Sequence, residues 1–296
     1  MKQNVSVIIP NYNGEMLLRK NLPHVITALE NEKNKILEII VVDDASKDES
    51  IKVIKEHFPQ VRLVKHRINR GFASSVNTGV RSSKGKLVVL LNTDVKPEKD
   101  FLKVALEHFK DEDTFGVSLH EKGYGWAKAK FENGFIAHQP GKPSNKSRDT
   151  FWISGGSGVF RRDLWIKLGG FDEELFKFYW EDVDLSYRAA KRGLKLIWEP
   201  KAKVVHKHES TTTRVFSKKK LERMQEVNQL AFIWKNLTSQ NMFRKHMIGL
   251  MKRFVRHPGY IRIVLAALFK MRIILKARKK EKKQCKVSDE AIFARI

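Results

Sequence analysis

Short apolar runs end in acidic residues at two points in the N-terminal half of the chain. Asp43 and Asp44 follow the apolar run at residues 36–42, and Asp94 closes an Asn-Thr-Asp segment behind residues 87–91. A carboxylate at position 43 or 44 can accept a hydrogen bond from a nucleotide base or a ribose hydroxyl. Asp94 is suited to hold a divalent cation that neutralises a departing diphosphate. Taken alone, each segment is also typical of a helix cap or a turn.

A third acidic segment, residues 181–184, opens a helical pattern behind a run of aromatic residues. Acids at a helix start can simply stabilise the helix dipole. However, an attacking hydroxyl must lose its proton, and a carboxylate is the usual base for that step. Apolar neighbours raise the pKa of a carboxyl group. Asp182 is therefore a candidate general base.

Two basic side chains also have positions that favour chemistry. His206 ends an apolar stretch, where a histidine can ligate a metal, although a solitary histidine is more often structural. His208 and Glu209 are alternative ligands. Arg70 lies in a loop beside Gly71, where its guanidinium can hold a phosphate or a ribose.

Apolar runs and helical patterns alternate through the first hundred residues. The runs at residues 5–10, 36–42, 61–64 and 87–91 predict buried strands, and the stretches between them predict helices. This alternation predicts βαβ units and a mostly parallel sheet flanked by helices. Ligands bind at the carboxyl ends of such strands, so we expect the acidic segments to converge in one crevice.

The middle of the chain has a less regular pattern. Residues 120–150 are rich in Gly, Lys, Asn and Ser and predict an irregular loop region, and residues 155–158 predict a flexible turn. Helices are predicted at residues 164–170 and 181–193, each ending at a glycine. Residues 194–198 and 203–205 predict two further strands.

Positive charge is concentrated in the last quarter of the chain. The net charge is +25, and residues 214–296 hold 22 Lys and Arg against 5 Asp and Glu. Apolar residues recur at helical spacing between basic ones at residues 243–256, which predicts an amphipathic helix at an anionic membrane surface. The alternative is an extension that packs on the rest of the protein. Residues 261–275 carry three basic side chains and are shorter than the ~20 residues of a membrane span.

The cysteine count and the N-terminus indicate a cellular compartment. A single cysteine, Cys285, excludes a disulfide framework and a cysteine-based zinc site, and it suits a reducing environment. The N-terminus runs directly into a strand pattern without a separate apolar signal segment. Together with the basic C-terminal region, these features predict a cytoplasmic protein that associates peripherally with the inner face of a membrane.

Six segments, taken in order, resemble the family-2 glycosyltransferases of the GT-A fold. They lie at residues 5–14 (VSVIIPNYNG), 41–46 (VVDDAS), 69–73 (NRGFA), 91–94 (LNTD), 155–158 (GGSG) and 181–184 (EDVD). The resemblance covers roughly residues 4–215 and is similar to the branch that contains rhamnosyltransferases and related cell-surface polysaccharide enzymes. Asn92 departs from the family's Asp-x-Asp pattern, whose first position is acidic. The resemblance implies a catalytic domain at residues 1–215 and a basic helical extension at residues 216–296.

The resemblance also implies a role for each candidate residue. The nucleotide of the donor would be held by Pro10, Tyr12, Asp43, Asp44, Arg70, Asn92 and Thr93. A divalent metal, Mn²⁺ or Mg²⁺, would be held by Asp94 and His206. The acceptor would be contacted by Trp152, Gly155, Gly156 and Glu181. Asp182 would be the general base.

These roles describe an inverting transfer of a sugar from a nucleotide diphosphate, UDP or dTDP, to a hydroxyl of a glycan or lipid-linked acceptor in cell-surface polysaccharide biosynthesis. One alternative is a nucleotidyltransferase acting on sugar phosphates, which would release pyrophosphate instead of a nucleoside diphosphate. The other is a nucleic-acid-binding protein, since the C-terminal region is basic. No docking motif for nucleic acid accompanies the basic residues, so nucleic acid is not a predicted partner.

Overall fold

The N-terminal part of the chain folds into alternating strands and helices, as predicted. The computed structural model describes residues 4–206 and 217–295. Its first elements are β1 (Val5–Asn11), α1 (Glu15–Glu30), β2 (Ile36–Asp43), α2 (Ser50–His57), β3 (Arg62–Lys65), α3 (Phe72–Ser82) and β4 (Leu87–Leu91). All pairings among these four strands are parallel, in the order β3-β2-β1-β4. Their carboxyl ends therefore meet at one edge of the sheet.

The following segment completes the sheet with strands of both directions. Its elements are β5 (Val95–Pro97), β6 (Thr114–Glu121), β7 (Ala127–Glu132), β8 (Phe135–Pro140), β9 (Arg148–Asp149), β10 (Ser157–Arg161), α4 (Arg162–Leu168), α5 (Glu181–Lys191) and β11 (Lys195–His206). Strand β10 runs antiparallel between β4 and β6, and β11 pairs parallel to β6 and antiparallel to β5 and β9. The predicted α/β class, a central sheet flanked by helices, is confirmed, and the sheet is mixed beyond β4.

Successive strand residues point to opposite faces of the sheet and fill two apolar layers. Val7 and Ile9 pack beneath α1, whereas Ile8 packs beneath α3. Helix α3 approaches the sheet closely, because a Cβ atom on Gly79 would lie 2.3 Å from Cγ2 of Ile8. The strands are apolar along their whole length because helices pack on both faces of the sheet.

The prediction of an irregular loop at residues 120–150 was wrong. Strands β7 and β8 form an antiparallel hairpin whose turn is Asn133-Gly134, with φ angles of 52° and 83°. Two positive φ angles are what a type I′ hairpin turn requires, and Asn-Gly is its favoured sequence. The two strands predicted at residues 194–198 and 203–205 are one strand, β11, with a register shift between Glu199 and Lys203.

The C-terminal region is helical, as predicted. Its helices are α6 (Lys218–Asn236), α7 (Gln240–Arg256), α8 (Ile261–Leu268), α9 (Met271–Gln284) and α10 (Asp289–Arg295). Leu230 and Phe232 of α6 are fully buried in one apolar cluster with Trp180 and Tyr187. The C-terminal helices therefore share a core with the sheet-bearing part of the chain, while the predicted boundary at residue 215 lies outside the described residues. Within residues 4–206 and 217–295, no helix has the length and hydropathy needed to cross a membrane.

A buried charge network joins α5 to α6. Asp184 is fully buried, and its carboxylate accepts hydrogen bonds from Arg188 (2.8 Å), Lys235 (2.9 Å) and Asn236 (2.8 Å). Burial by itself would raise the pKa of Asp184, but Arg188 and Lys235 outweigh that effect and lower it. The network fixes the helix that carries the candidate base against the first C-terminal helix.

Removing one cation from this network should destabilise the fold. We expect Lys235→Met, which keeps the apolar stem, to lower the free energy of unfolding by about 3 kcal/mol, because breaking a buried ion pair leaves an undercompensated charge. Urea denaturation measures this change. The exposed Lys219 lies on the same helix, and Lys219→Met should shift stability by less than about 0.5 kcal/mol. An equal decrease in the free energy of unfolding of both variants would contradict a stabilising role for the buried charge network.

Candidate active site

The carboxyl ends of the parallel strands are tied together by side-chain hydrogen bonds. Asn11, the last residue of β1, donates from Nδ2 to Oδ2 of Asp43 at the end of β2 (2.9 Å). Asn21 of α1 donates from Nδ2 to the carbonyl oxygen of Thr93, behind β4 (2.8 Å). Pro10 pairs with Val42 across β1 and β2. The first two acidic segments thus line the same edge of the sheet, as expected.

The Asp43-Asp44 pair is buried and holds the neighbouring loops. Asp43 also accepts a hydrogen bond from the backbone N–H of Ser46 (3.0 Å). Asp44 accepts from the backbone N–H groups of Arg70 (2.9 Å) and Gly71 (2.8 Å), and its carboxylate lies 2.7 Å from Nδ1 of His66. Asp44 therefore orders the 66–71 loop, a role that the sequence did not indicate. The Arg70 guanidinium is exposed, 3.6 Å from Glu173.

A broad cavity opens in front of these loops. Its volume is about 870 Å³, and its lining includes Tyr12, Asp43, Ser46, Lys65 and Asn69. An aromatic ring, polar side chains and a lysine are the groups that hold a base, a ribose and a phosphate. This cavity has the size and the chemistry of a nucleotide pocket.

Asp94 lies beside His206 and a third residue that sequence reasoning missed. Strand β11 brings His206 to β5, where Nε2 lies 3.1 Å from Oδ1 of Asp94 and Nδ1 lies 3.1 Å from Oε2 of Glu121. Burial lowers the pKa of His206, but Asp94 and Glu121 together raise it to about 9. Glu121 ends β6, and its position at a strand end was the signal that could have found it.

These three side chains provide the kinds of ligand atoms that bind a divalent cation. Oδ2 of Asp94 is buried and accepts no hydrogen bond from the described residues. Two carboxylates and an imidazole suit Mn²⁺ or a similar ion once the imidazole has lost its proton. Across residues 4–206 and 217–295, no group of three or more potential ligands is preassembled around a common point. Asp94, Glu121 and His206 therefore fit such a metal by the chemistry of their side chains. His208 and Glu209 lie outside the described residues.

The turn at residues 155–156 connects the end of β4 to the start of α5. Asn92 donates its backbone N–H to the carbonyl oxygen of Gly156 (2.9 Å), and a Cβ atom on Gly156 would lie 2.5 Å from Nδ2 of Asn92. Gly155 donates its N–H to Oδ2 of Asp182 (3.1 Å). This turn is closely packed, and it links the segment before Asp94 to Asp182.

Burial sets the acidity of the two acids that open α5. It raises the pKa of Asp182, and the nearby charge of Glu121 raises it further. It also raises the pKa of Glu181 well above its ordinary value, with a further contribution from the Asp182 charge. Oε2 of Glu181 is buried and has no hydrogen-bond partner in the described part of the chain. A carboxyl with a raised pKa is suited to proton transfer near neutral pH.

The two residues that precede these acids have a left-handed backbone conformation. Tyr179 and Trp180 have φ angles of 63° and 74°, a conformation that costs on the order of 1–3 kcal/mol for each residue. Asn228 of α6 donates from Nδ2 to the carbonyl oxygens of Phe178 (2.9 Å) and Tyr179 (3.0 Å). A C-terminal helix therefore holds the turn that aims Asp182. No sequence signal marks Asn228, because its partners are about fifty residues away.

An aromatic cavity of about 630 Å³ adjoins Asp182 and Glu181. His138 of β8 lies between Trp152 and Trp180, with ring centroids 4.9 Å from each. Burial lowers the pKa of His138 to about 4, so this ring is neutral at physiological pH. The remaining lining comes partly from the C-terminal helices and includes Glu222, Glu226, Gln229 and Arg253. Aromatic rings and polar groups beside a candidate base are typical of a saccharide-binding site.

A family model described as "Glycosyl transferase family 2" matches residues 6–169, more than half of the chain. The chain belongs to glycosyl transferase family 2. A pre-mycofactocin glycosyltransferase of Mycobacterium tuberculosis is 29% identical over 214 residues, which are 70% of this chain and 43% of that protein. An undecaprenyl-phosphate 4-deoxy-4-formamido-L-arabinose transferase of Edwardsiella ictaluri is 30% identical over 148 residues, 47% of this chain and 45% of that protein. The chain thus spans less than half the length of either curated relative.

A solved structure agrees with the fold of this family-2 glycosyltransferase. A mannosyltransferase from Pyrobaculum calidifontis in complex with GDP-Man and Mn²⁺ aligns with a TM-score of 0.58 at 18% identity, over 96% of this chain and 85% of that one. The predicted GT-A fold is confirmed. The rhamnosyltransferase-like branch stays a prediction, as do the roles of the individual site residues.

The raised pKa of Asp182 in this glycosyltransferase can be measured directly. We expect the carboxyl carbon of Asp182 to titrate with a midpoint above the ~3.9 of an ordinary aspartate, because burial disfavours the charged form. The group is therefore neutral at a pH where an exposed aspartate is ionised, and it ionises as the pH rises through the higher midpoint. Carbon-13 NMR of aspartate-labelled protein measures this, with Asp182→Asn identifying the signal. A midpoint at or below about 3.9 would contradict the burial argument.

Proposed function

We propose that the chain is an inverting, metal-dependent glycosyltransferase that uses a nucleotide diphosphate sugar. The observation that carries this proposal is that His206 joins Asp94 and Glu121, while the buried Asp182 is tied to the end of β4 through the turn at residues 155–156. One group of side chains can neutralise a leaving diphosphate, and the other can take a proton from an incoming hydroxyl. A sugar bound between them would be attacked on the face opposite the leaving group, which inverts its anomeric configuration.

The donor would occupy the 870 Å³ cavity. Tyr12 and Asp43 face the cavity and would meet the nucleotide base and ribose, with Thr93 and Asn92 nearer the diphosphate. Asp44 would contribute by holding the 66–71 loop in place, and Arg70 would reach the donor by leaving Glu173. The archaeal mannosyltransferase of similar fold is in complex with GDP-Man, which supports a nucleotide sugar as the donor of this chain. We propose UDP or dTDP as the nucleotide of this chain.

Asp94 and His206 would hold the cation, Mn²⁺ or Mg²⁺, with Glu121 beside them. When bound, the cation would neutralise the negative charge that builds up on the departing diphosphate. In its absence, the His206 proton partly balances the two carboxylates, which explains how buried acids coexist there.

Asp182 would take the proton from the acceptor hydroxyl. The N–H of Gly155 donates to one carboxylate oxygen of Asp182 (3.1 Å), and the N–H of Val183 donates to the other (2.8 Å). These two hydrogen bonds hold the carboxylate in one orientation. General-base catalysis of this kind contributes typically about 10²–10⁴-fold. Trp152 and Glu181 would hold the acceptor, a glycan or a lipid-linked saccharide, and cell-surface polysaccharide biosynthesis is the proposed context. The family match favours sugar transfer over nucleotidyl transfer and over nucleic-acid binding.

The isosteric variant Asp182→Asn tests the proposed function. The full-length protein would be incubated with a panel of nucleotide sugars and Mn²⁺, and release of nucleoside diphosphate would be measured. We expect the variant to lose at least ~100-fold in rate, because no base remains, while donor affinity changes less than about twofold. Asp163→Asn, at an exposed acid of α4, serves as the control and should retain the wild-type rate. Full activity of Asp182→Asn would refute the base, and release of pyrophosphate would indicate nucleotidyl transfer.

We also propose that the C-terminal helices associate with an anionic membrane surface at its cytoplasmic face. Large apolar side chains of α8 and the residue after it are exposed: Leu265 by 48%, Leu268 by 44% and Phe269 by 92%. The excess of Lys and Arg in the same region supplies the attraction to anionic lipid.

Vesicle flotation of a matched pair of variants tests the membrane proposal. We expect Leu265→Glu/Phe269→Glu to reduce flotation with phosphatidylglycerol vesicles several-fold, because two exposed apolar contacts become negative. The control, Met16→Glu/Leu37→Glu, makes the same charge change at exposed apolar residues of the catalytic region. If both variants float like the wild-type protein, the α8 surface does not bind membrane.

A further inference from the structure

A second cavity lies on the far side of Arg253 from the aromatic one. Its volume is about 470 Å³, and it is enclosed by the turn between β7 and β8 and by one face of α7. Its lining includes five basic side chains: Lys245, Lys252, Arg253, Arg256 and His257. Arg253 lines both cavities, so the two are neighbours. None of the residues assigned above to donor, metal or base lines this second cavity.

The walls of this basic cavity are fixed by close packing. A Cβ atom on Gly249 of α7 would lie 2.0 Å from the carbonyl oxygen of Asn133, so the hairpin turn sits directly on the helix. Trp234 donates from Nε1 to Nε2 of the buried His246 (2.9 Å), which leaves Nδ1 of His246 to donate to the carbonyl oxygen of Gly134 (2.7 Å). Burial lowers the pKa of His246 and keeps it neutral. The cavity is therefore a preformed feature of the fold.

The basic residues of the cavity are not balanced by acids. Lys245, Lys252 and Arg256 are spaced by seven and four residues, which places them on one face of α7. None of the three forms an ion pair with a carboxylate in the described part of the chain, and none of the described lining residues is acidic. The helix dipole accounts for cations in the last turn, such as Arg256, but not for Lys245. An anion in the cavity would relieve their mutual repulsion.

Beside this basic face, α7 carries a strip of exposed apolar side chains. Ile248, Met251 and Val255 are exposed by 54%, 60% and 82%. Their spacing of three and four residues places them on a neighbouring face of the same helix. An anion with an apolar substituent would satisfy both faces at once, whereas a free inorganic anion would use only one.

The aromatic cavity has the opposite character. Glu181, Asp182, Glu222 and Glu226 line it together with Arg253 and His138, whose pKa is lowered to about 4. The carboxylates of Glu222 and Glu226 would repel a phosphate, whereas they can accept hydrogen bonds from the hydroxyls of a sugar. The two neighbouring cavities thus select an uncharged saccharide on one side of Arg253 and an anion on the other.

We propose that the basic cavity binds the phosphate or diphosphate of a lipid-linked acceptor. The saccharide of this acceptor enters the aromatic cavity next to Asp182, and its apolar chain lies along Ile248, Met251 and Val255. Arg253 lies at the junction, where its guanidinium stacks on Phe135 (3.6 Å) and donates to the hydroxyl of Tyr260 (3.3 Å). The inference rests on the proposed function and narrows its acceptor to a phosphate-linked, lipid-anchored saccharide.

Calorimetric titration of the full-length protein with farnesyl diphosphate tests this site. The buffer contains EDTA, so that no divalent cation supports binding of a diphosphate at the donor site. We expect the variant Lys245→Ala/Lys252→Ala/Arg256→Ala to bind at least about tenfold more weakly than the wild-type protein, because charge-assisted contacts to the phosphates are lost. The control variant Lys279→Ala/Lys282→Ala/Lys283→Ala removes the same charge from exposed positions of α9 and should bind within about twofold of wild type. Thermal unfolding confirms that both variants are folded.

Two further ligands distinguish binding of the phosphates from binding of the apolar chain. Farnesol lacks the phosphates and inorganic pyrophosphate lacks the chain, and we expect both to bind more weakly than farnesyl diphosphate. Pyrophosphate that binds as tightly as farnesyl diphosphate would overturn the lipid-anchored acceptor. Equal weakening in the two triple variants, or no binding by the wild-type protein, would overturn the site itself.

The same preparations are assayed for release of nucleoside diphosphate from nucleotide sugars. Hydrolysis without farnesyl diphosphate binding would refute the phosphate site and leave the proposed glycosyltransferase reaction standing. Binding without hydrolysis of any nucleotide sugar would support the phosphate site and count against the proposed reaction. The two proposals therefore fail on separate measurements.

Discussion

The turn at Tyr179 and Trp180 is the constraint on which the site depends. Both residues are held at positive φ, and the amide of Asn228 compensates by binding the carbonyl oxygens of residues 178 and 179. The turn starts α5 at the point where Asp182 meets the N–H of Gly155. One side chain of α6 thus donates to both carbonyl groups of the turn. The C-terminal helices are thus part of the catalytic architecture, because one of them fixes the direction of the candidate base.

Asp182 and Asp184 lie two residues apart on α5, but their surroundings shift their pKa values in opposite directions. Burial raises the pKa of Asp182, whose neighbours are backbone N–H groups and the charge of Glu121. Asp184 is buried as well, but Arg188 and Lys235 lower its pKa. One carboxylate is therefore suited to exchange a proton, while the other is a permanent anion that anchors the helix. The same sequence segment supplies both because successive residues of a helix face different partners.

The sequence predicted those parts of the structure that depend on local pattern. The strand at residues 87–91 and the glycine stop of α4, where Gly169 has a φ of 90°, follow from apolar runs and C-cap rules. The β7–β8 hairpin was missed because composition was weighed above the alternation around Asn133-Gly134. Asn228 has a role that depends on partners about fifty residues away, so no single-sequence pattern marks it, whereas the position of Glu121 at the end of β6 was a usable signal. Asp44 was placed correctly at a strand end, but its loop-holding contacts depend on the fold.

Acidic and basic side chains line separate cavities of this basic protein. Despite a net charge of +25, four acids line the aromatic cavity, while the basic residues of α7 line the cavity on the other side of Arg253. Arg253 is held by Phe135 and Tyr260 instead of by a carboxylate, so its charge is available to both cavities. A substrate with an uncharged head and a charged linker would find each part matched on its own side. This separation of charge is built on packed helices and a close-packed hairpin turn, so it would give such a substrate one favoured orientation.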